Sequence, residues 1–163
     1  MCQWRLADEA ATTLLAQRMA ATRPSPACVY LSGPLGAGKS TLARAMIHAL
    51  GIQGAIRSPT YTLVERYPIR AQSEAWHLDL YRIKQADELE CLGLDEECVE
   101  LWLIEWPEHG EGMLPPADLT VQLDVEQCGR RLHLAASTAN GQAWLARLKQ
   151  DPLLHSAMRL AAE

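Results

Sequence analysis

Residues 27–41, ACVYLSGPLGAGKST, constrain this chain more than any other stretch. ACVYLS is a continuous apolar run of strand length, the pattern of a parallel strand buried on both faces. Gly33, Pro34, Leu35, Gly36, Ala37, Gly38, Lys39 and Ser40 then satisfy GxxxxGK[ST], and Leu42, Ala43, Met46, Ile47 and Leu50 follow at helical spacing until Gly51. Strand, glycine-rich turn and helix in that order make a phosphate-binding loop, or P-loop. Glycines let the backbone curl so that successive N–H groups face phosphate oxygens, and the helix adds the positive end of its dipole. Lys39 is placed to reach the β- and γ-phosphates and the Ser40 hydroxyl to hold Mg²⁺. A chance glycine-rich turn does not account for the complete pattern in this context.

The remaining chain supplies a frame for that loop. Residues 2–6 read as a short strand, and a helix capped by Asp8 carries Ala11, Leu14, Leu15, Arg18 and Met19 until TRPSP at 22–26. Strands are expected at 62–69, 74–82 and 99–106, with a short helix at 85–94 and a loop at 110–116. DLTVQLDV and RRLHLAAS, joined by EQCG, alternate as a hairpin, and 141–149 is a helix. The expectation is one α/β domain over 1–150, and a tail at 151–163 with no evident role.

The formal net charge is −5 and the basic residues are scattered, so strong direct nucleic-acid binding is not expected. No apolar run reaches membrane-span length and the N-terminus does not read as a secretory signal, which makes the cytoplasm the default. Five cysteines without a CxxC pair read as reduced thiols rather than metal ligands.

A P-loop also needs an acid near its metal, at the end of another strand. Asp79 in WHLDLYR and Glu105 in LWLIEW are the candidates, with an ion pair to Arg82 or Arg57 as the bland alternative for each. His77, on the same strand face as Asp79, either hydrogen-bonds that carboxylate or is a structural histidine. Trp106 either walls the site or simply packs. Thr60, in a hydroxyl-bearing loop at a strand entrance, stands where P-loop proteins often sense the γ-phosphate, with plain turn chemistry as the alternative. The chain's only asparagine, Asn140, has no lysine after it, so guanine reading by an NKxD element is excluded and ATP is the default. The loop at 107–117 lacks arginine, which disfavours a small-molecule kinase with an arginine-rich lid. Three classes stay open on the residues alone: a partner-dependent ATPase, such a kinase, and a nucleotide-gated module that never hydrolyses.

GPLGAGKST, SPTYTLVERY, HLDLYRI, DELECLGL and LIEWPEHGEGMLP, in this order and spacing, resemble the TsaE (YjeE) family over about residues 8–135. The resemblance implies a three-layer P-loop domain with a mixed, mainly parallel sheet and a C-terminal hairpin. It implies a Mg²⁺-dependent ATPase required for threonylcarbamoyladenosine formation in tRNA, acting on the TsaB–TsaD pair and reaching tRNA only through it. It assigns phosphate contact to Gly33, Leu35, Gly36, Ala37, Gly38, Lys39, Ser40 and Thr41. Thr60 resembles the family's switch-loop hydroxyl, while Asp79 and Glu105 stand at its functional acids, so that Ser40, Thr60, Asp79 and Glu105 are the expected metal shell and Asp79, Glu105 and Lys39 the expected catalytic groups. Two positions depart from the pattern: Pro34 where the family usually has Asp, and Ser40 where it usually has Thr. No arginine finger is evident, which implies slow turnover without the partner.

Overall fold

The apolar run at 27–32 forms β2 (Ala27–Ser32), the centre of a seven-stranded sheet in the computed structural model, which describes residues 2–94 and 98–158. The other strands are β1 (Cys2–Leu6), β3 (Val64–Arg70), β4 (Ser73–Asp79), β5 (Val99–Glu105), β6 (Leu119–Val125) and β7 (Arg130–Ala136), in spatial order β1-β7-β6-β2-β5-β4-β3. β6, β2, β5 and β4 pair in parallel, and β7 and β3 run against them. β1 pairs antiparallel with β7 and therefore points the same way as β2. The sheet is mixed with a parallel core, and β6–β7 is the expected hairpin.

Four helices, α1 (Glu9–Thr22), α2 (Lys39–Ala49), α3 (Ala139–Lys149) and α4 (Pro152–Ala157), share one core with the sheet. Pleating divides the strands as period two requires: Val29, Leu31, Leu101 and Leu103 join the helical core, while Cys28, Tyr30, Trp102 and Ile104 face the other way. That second face is closed by a thinner layer of 3₁₀ turns at Ala86–Leu92 and Pro107–Gly110 with Ile83, Leu89 and Leu114, around the Trp76–Trp102 edge contact. The three-layer α/β expectation holds.

Caps fix the helix starts. Asp8 Oδ1 accepts from the Ala11 N–H at 2.8 Å, and Thr138 Oγ1 accepts from the Gly141 N–H at 2.9 Å. Asp118 ties the base of the sheet together, accepting from the Cys28 N–H at 2.9 Å and from the Thr138 hydroxyl.

Three expectations change. The strand expected at 74–82 stops at Asp79: Leu80 N–H makes the last ladder bond, to Glu105 O of β5, and the Tyr81 N–H then turns back to the Asp79 carboxylate. The helix expected at 85–94 is a 3₁₀ segment, closed by a Gln85–Glu88 capping box and by Gly93 at φ +59°. Residues 151–158, without a role in the sequence reading, are built into the fold: Asp151 pairs with Arg18 of α1 and caps α4, while Leu154 and Met158 are buried. Residues 159–163 of that tail lie outside the described residues. Among the described residues no helix is long and apolar enough to cross a membrane.

Candidate functional site

The parallel core brings three strand ends together. β2 runs into the glycine-rich loop, β4 ends on Asp79 and β5 ends on Glu105, with Asp79 and Glu105 directly opposite in the β4–β5 register. Both carboxylates lie on the α2 side of the sheet, at the carboxyl ends of the strands, where open α/β sheets bind ligands.

The loop has the geometry its glycines predict. Gly33 (φ +133°), Gly36 (+76°) and Gly38 (+104°) take backbone conformations that side chains disfavour. A Cβ on Gly33 would meet the Leu123 carbonyl at 2.2 Å, so the end of β6 is pressed against the loop. α2 starts at Lys39 behind the left-handed Gly38, and among the described residues no side chain caps its first turn, leaving those N–H groups for an anion. Lys39 is almost fully buried; Nζ donates to Gly33 O at 2.7 Å and Pro34 O at 2.9 Å and lies 4.1 Å from the centre of the Trp106 ring. Burial lowers its pKa from the ordinary lysine value, opposed by the charges of Glu105, Asp79 and Glu108.

Two hydroxyl–carboxylate pairs face this cation. Ser40 Oγ donates to Glu105 Oε2 at 3.0 Å, and Thr60 Oγ1 donates to Asp79 Oδ2 at 3.1 Å. Lys39, Ser40, Thr41, Thr60, Asp79 and Glu105 line one cleft of about 350 Å³, together with Leu35, Gly36 and Gly38 of the loop. Gly33 is reached through Lys39, and Ala37 faces a second cavity of about 510 Å³, bounded by Asp8, Thr12, Thr41, Leu123 and Arg130. The hydroxyl and carboxylate oxygens suit a hard cation such as Mg²⁺, which keeps waters and phosphate oxygens and needs only one or two protein carboxylates. No cluster of three or more His, Cys, Asp or Glu suited to a metal occurs among the described residues, so a cation held by protein groups alone has no such place there.

Several alternatives left open by the sequence are decided here. The ion pairs among the described residues include none from Arg57 or Arg82 to either acid. His77 bonds Glu105, Nε2 to Oε1 at 2.8 Å, and not Asp79 on its own strand. Trp106 walls the site, under Lys39 and tilted against Tyr81 at 5.0 Å. Among the described residues the backbone takes left-handed φ at two non-glycine positions, and each adjoins an acid: Trp106 (φ +57°) follows Glu105, and the Leu63 (φ +63°) carbonyl accepts from the Asp79 N–H at 3.0 Å. Such conformations cost roughly 1–3 kcal/mol and persist where the surroundings impose them, commonly at functional sites.

Two arginines take places at the site that the sequence did not assign them. Arg130, expected only as part of the hairpin strand RRLHLAAS, donates from the start of β7 to the Ala37 and Gly36 carbonyls at 3.0 and 3.3 Å. Arg82 lines the cleft and stacks 4.5 Å from the ring of Tyr61, which is 81% exposed. Only the pairing across the sheet, with no sequence signal behind it, brings Arg130 to the loop.

The fold and these motifs have counterparts. Residues 6–132 match the family model "Threonylcarbamoyl adenosine biosynthesis protein TsaE". The chain is 47% identical over 116 residues to the tRNA threonylcarbamoyladenosine biosynthesis protein TsaE of Haemophilus influenzae, covering 70% of this chain and 73% of that one. It is 34% identical over 129 residues to the protein of the same name from Bacillus subtilis, with 78% of each covered. A crystal structure of Bacillus subtilis YdiB superposes with a TM-score of 0.76 at 25% identity, over 91% of this chain and 93% of that one. With the glycine-rich loop, both strand-end acids and strands β2–β6 inside the matched region, the chain belongs to the TsaE family of threonylcarbamoyl adenosine biosynthesis proteins.

Proposed function

We propose that this protein is a cytoplasmic Mg²⁺-dependent ATPase that serves threonylcarbamoyladenosine formation in tRNA by driving the TsaB–TsaD pair, without carrying out the transfer itself. The observation that carries the reading is the convergence of Lys39, Ser40–Glu105 and Thr60–Asp79 in one cleft at the mouth of the glycine-rich loop. Lys39 and the α2 N-terminus hold the polyphosphate through Gly33–Thr41, and the second cavity, beyond Thr41, receives the nucleoside. Ser40, Glu105, Thr60 and Asp79 are the residues that would hold Mg²⁺, and the ion would supply charge neutralisation at the phosphates. Asp79 or Glu105 orients the water that attacks the γ-phosphorus, and Lys39 takes up charge as the bond from that phosphorus to the β-phosphate oxygen breaks and ADP leaves. The chain's acidity suits a protein that acts on a protein complex and meets tRNA only through it.

The test is phosphate release from ATP by the purified protein, alone and with its TsaB–TsaD pair, with Lys39→Ala as the blank. Slow release alone and strong stimulation by the pair are expected. ATP binding without release under either condition refutes the ATPase reading and favours a nucleotide-gated module.

A further inference from the structure

The His77 ring is fully buried and, among the described residues, makes one hydrogen bond, to a group of the proposed site. Its ring lies on β4 one pleat below the Asp79–Glu105 pair, on the same face of the sheet, and Nε2 meets Glu105 Oε1 at 2.8 Å. The carboxylate's other oxygen accepts from Ser40 Oγ at 3.0 Å. Glu105 is thus held at both ends, from inside the protein by an imidazole and at the cleft by a hydroxyl. The ring's other nitrogen, Nδ1, is buried and finds no hydrogen-bond partner among the described residues.

That arrangement is a poor one for a histidine that only fills space. A buried polar atom without a partner costs free energy, and an apolar side chain of similar size would avoid the cost. An ionised carboxylate can only accept, so Nε2 donates to Glu105 while Nδ1 is left without a partner among the described residues. Among the described residues, the hydrogen bond that offsets the burial of this ring is the one to Glu105. We infer that His77 is a positioning residue for the proposed Mg²⁺ site: it fixes the rotation of the Glu105 carboxylate, so that Oε2 points to Ser40 and the cation rather than to Lys39. The inference rests on the phosphate-site reading above. Without the imidazole, Oε1 loses its inward partner and the carboxylate is free to turn toward the lysine whose charge it already feels. The turn would take an oxygen from the metal shell and tie up the cation meant for the phosphates. Groups that orient a ligand from behind typically change metal affinity by about 10–100-fold when removed.

The experiment measures ADP affinity by calorimetry across a Mg²⁺ titration, for the full chain and for His77→Phe and His77→Gln, with melting curves to establish that each variant is folded. Wild type is expected to bind ADP more tightly as Mg²⁺ rises. His77→Phe keeps the ring volume without the donor; its affinity in excess EDTA should stay within about twofold of wild type, while its Mg²⁺ midpoint rises about tenfold or more. His77→Gln returns an N–H close to the Nε2 position and should bring the midpoint back to within about threefold of wild type. If the phenylalanine variant does not fold, His77→Met takes its place, as an adaptable side chain without a strong donor. An unchanged midpoint in the donor-free variant overturns the inference, and so does a glutamine variant as impaired as the phenylalanine one, since ring packing alone would then be responsible. A wild-type protein whose ADP affinity ignores Mg²⁺ overturns the site reading itself, and this inference with it.

Discussion

Substituting Gly33 by alanine tests the contact between the glycine-rich loop and the C-terminal hairpin. Two costs add at this position. The backbone sits at φ +133°, outside the regions L-residues favour, which costs roughly 1–3 kcal/mol. The new Cβ would also lie 2.2 Å from Leu123 O and 3.2 Å from Leu123 C, both backbone atoms of β6, so no side chain can swing away to make room. Relief requires moving β6, and forced shifts of this kind typically cost a further ~1–3 kcal/mol. Gly33→Ala should therefore lose about 4 kcal/mol. Gly36→Ala is the internal control, because Gly36 is left-handed at φ +76° but has no atom within 4 Å of the Cβ that alanine would add, and should lose only about 1–2 kcal/mol. Urea melts of the two variants without nucleotide give the difference directly. For a chain of this length ~1 kcal/mol moves the melting temperature by about 2–4 °C, so the two thermal melts should lie roughly 4–12 °C apart. A Gly33→Ala protein no less stable than Gly36→Ala would refute the reasoning.

Asp151→Ala removes both the cap of α4 and the partner of Arg18, and should cost about 2 kcal/mol by chemical denaturation; Asp151→Asn keeps the cap and should cost about half of that, discounted because the Arg18 side chain is 34% exposed. Burial would raise the Asp151 pKa, but the Arg18 hydrogen bond and the Leu154 and Leu153 amides outweigh it and lower the value; the stabilisation should therefore be complete above the unfolded carboxylate value of ~3.9 and fade as pH falls through the lower folded value, read as converging wild-type and Asp151→Asn melts in acid. Gly141→Ala would place a Cβ 2.0 Å from Asp118 O, at the point where α3 meets the base of β6, and should lower the melting temperature by several degrees, whereas a variant that melts with wild type would mean the α3 start can shift freely.

What was legible in the sequence was whatever one segment could declare by itself. The loop at 33–40 carries its own pattern, and its strand and helix are fixed by an apolar run and a helical period on either side. Asp79 and Glu105 could be named because an acid at the end of an apolar strand is conspicuous in any register. The hairpin announced itself by alternation, and β6–β7 pair across Leu119–Val125 and Arg130–Ala136 as read. Length was less legible than identity, because β4 ends where the Tyr81 amide turns back to the Asp79 carboxylate instead of pairing with β5, and an apolar run continuing through Leu80 does not announce that turn.

What stayed hidden was which segment answers which. His77 reads from β4 alone as a neighbour of Asp79 two residues on, yet its partner is Glu105 on β5, chosen by a parallel register that sets His77 opposite Leu103 and Asp79 opposite Glu105. Arg130 reaches the loop because β6 lies beside β2, so that the turn into β7 comes up against Gly36 and Ala37. Asp151 finds Arg18 because α4 packs on α1, 133 residues away in the chain. In each case the sequence supplied a titratable or charged group with an obvious need for a partner, and the sheet order supplied the partner. The cleft owes its form to both: the strand ends bring the acids, while the hairpin and Trp106 hold the loop and its lysine against them. The His77–Glu105–Ser40 chain crosses from one strand to the next and on to α2, so its contribution is set by the β4–β5 register, and a change that slips this register should disable the site while every one of its residues is still present.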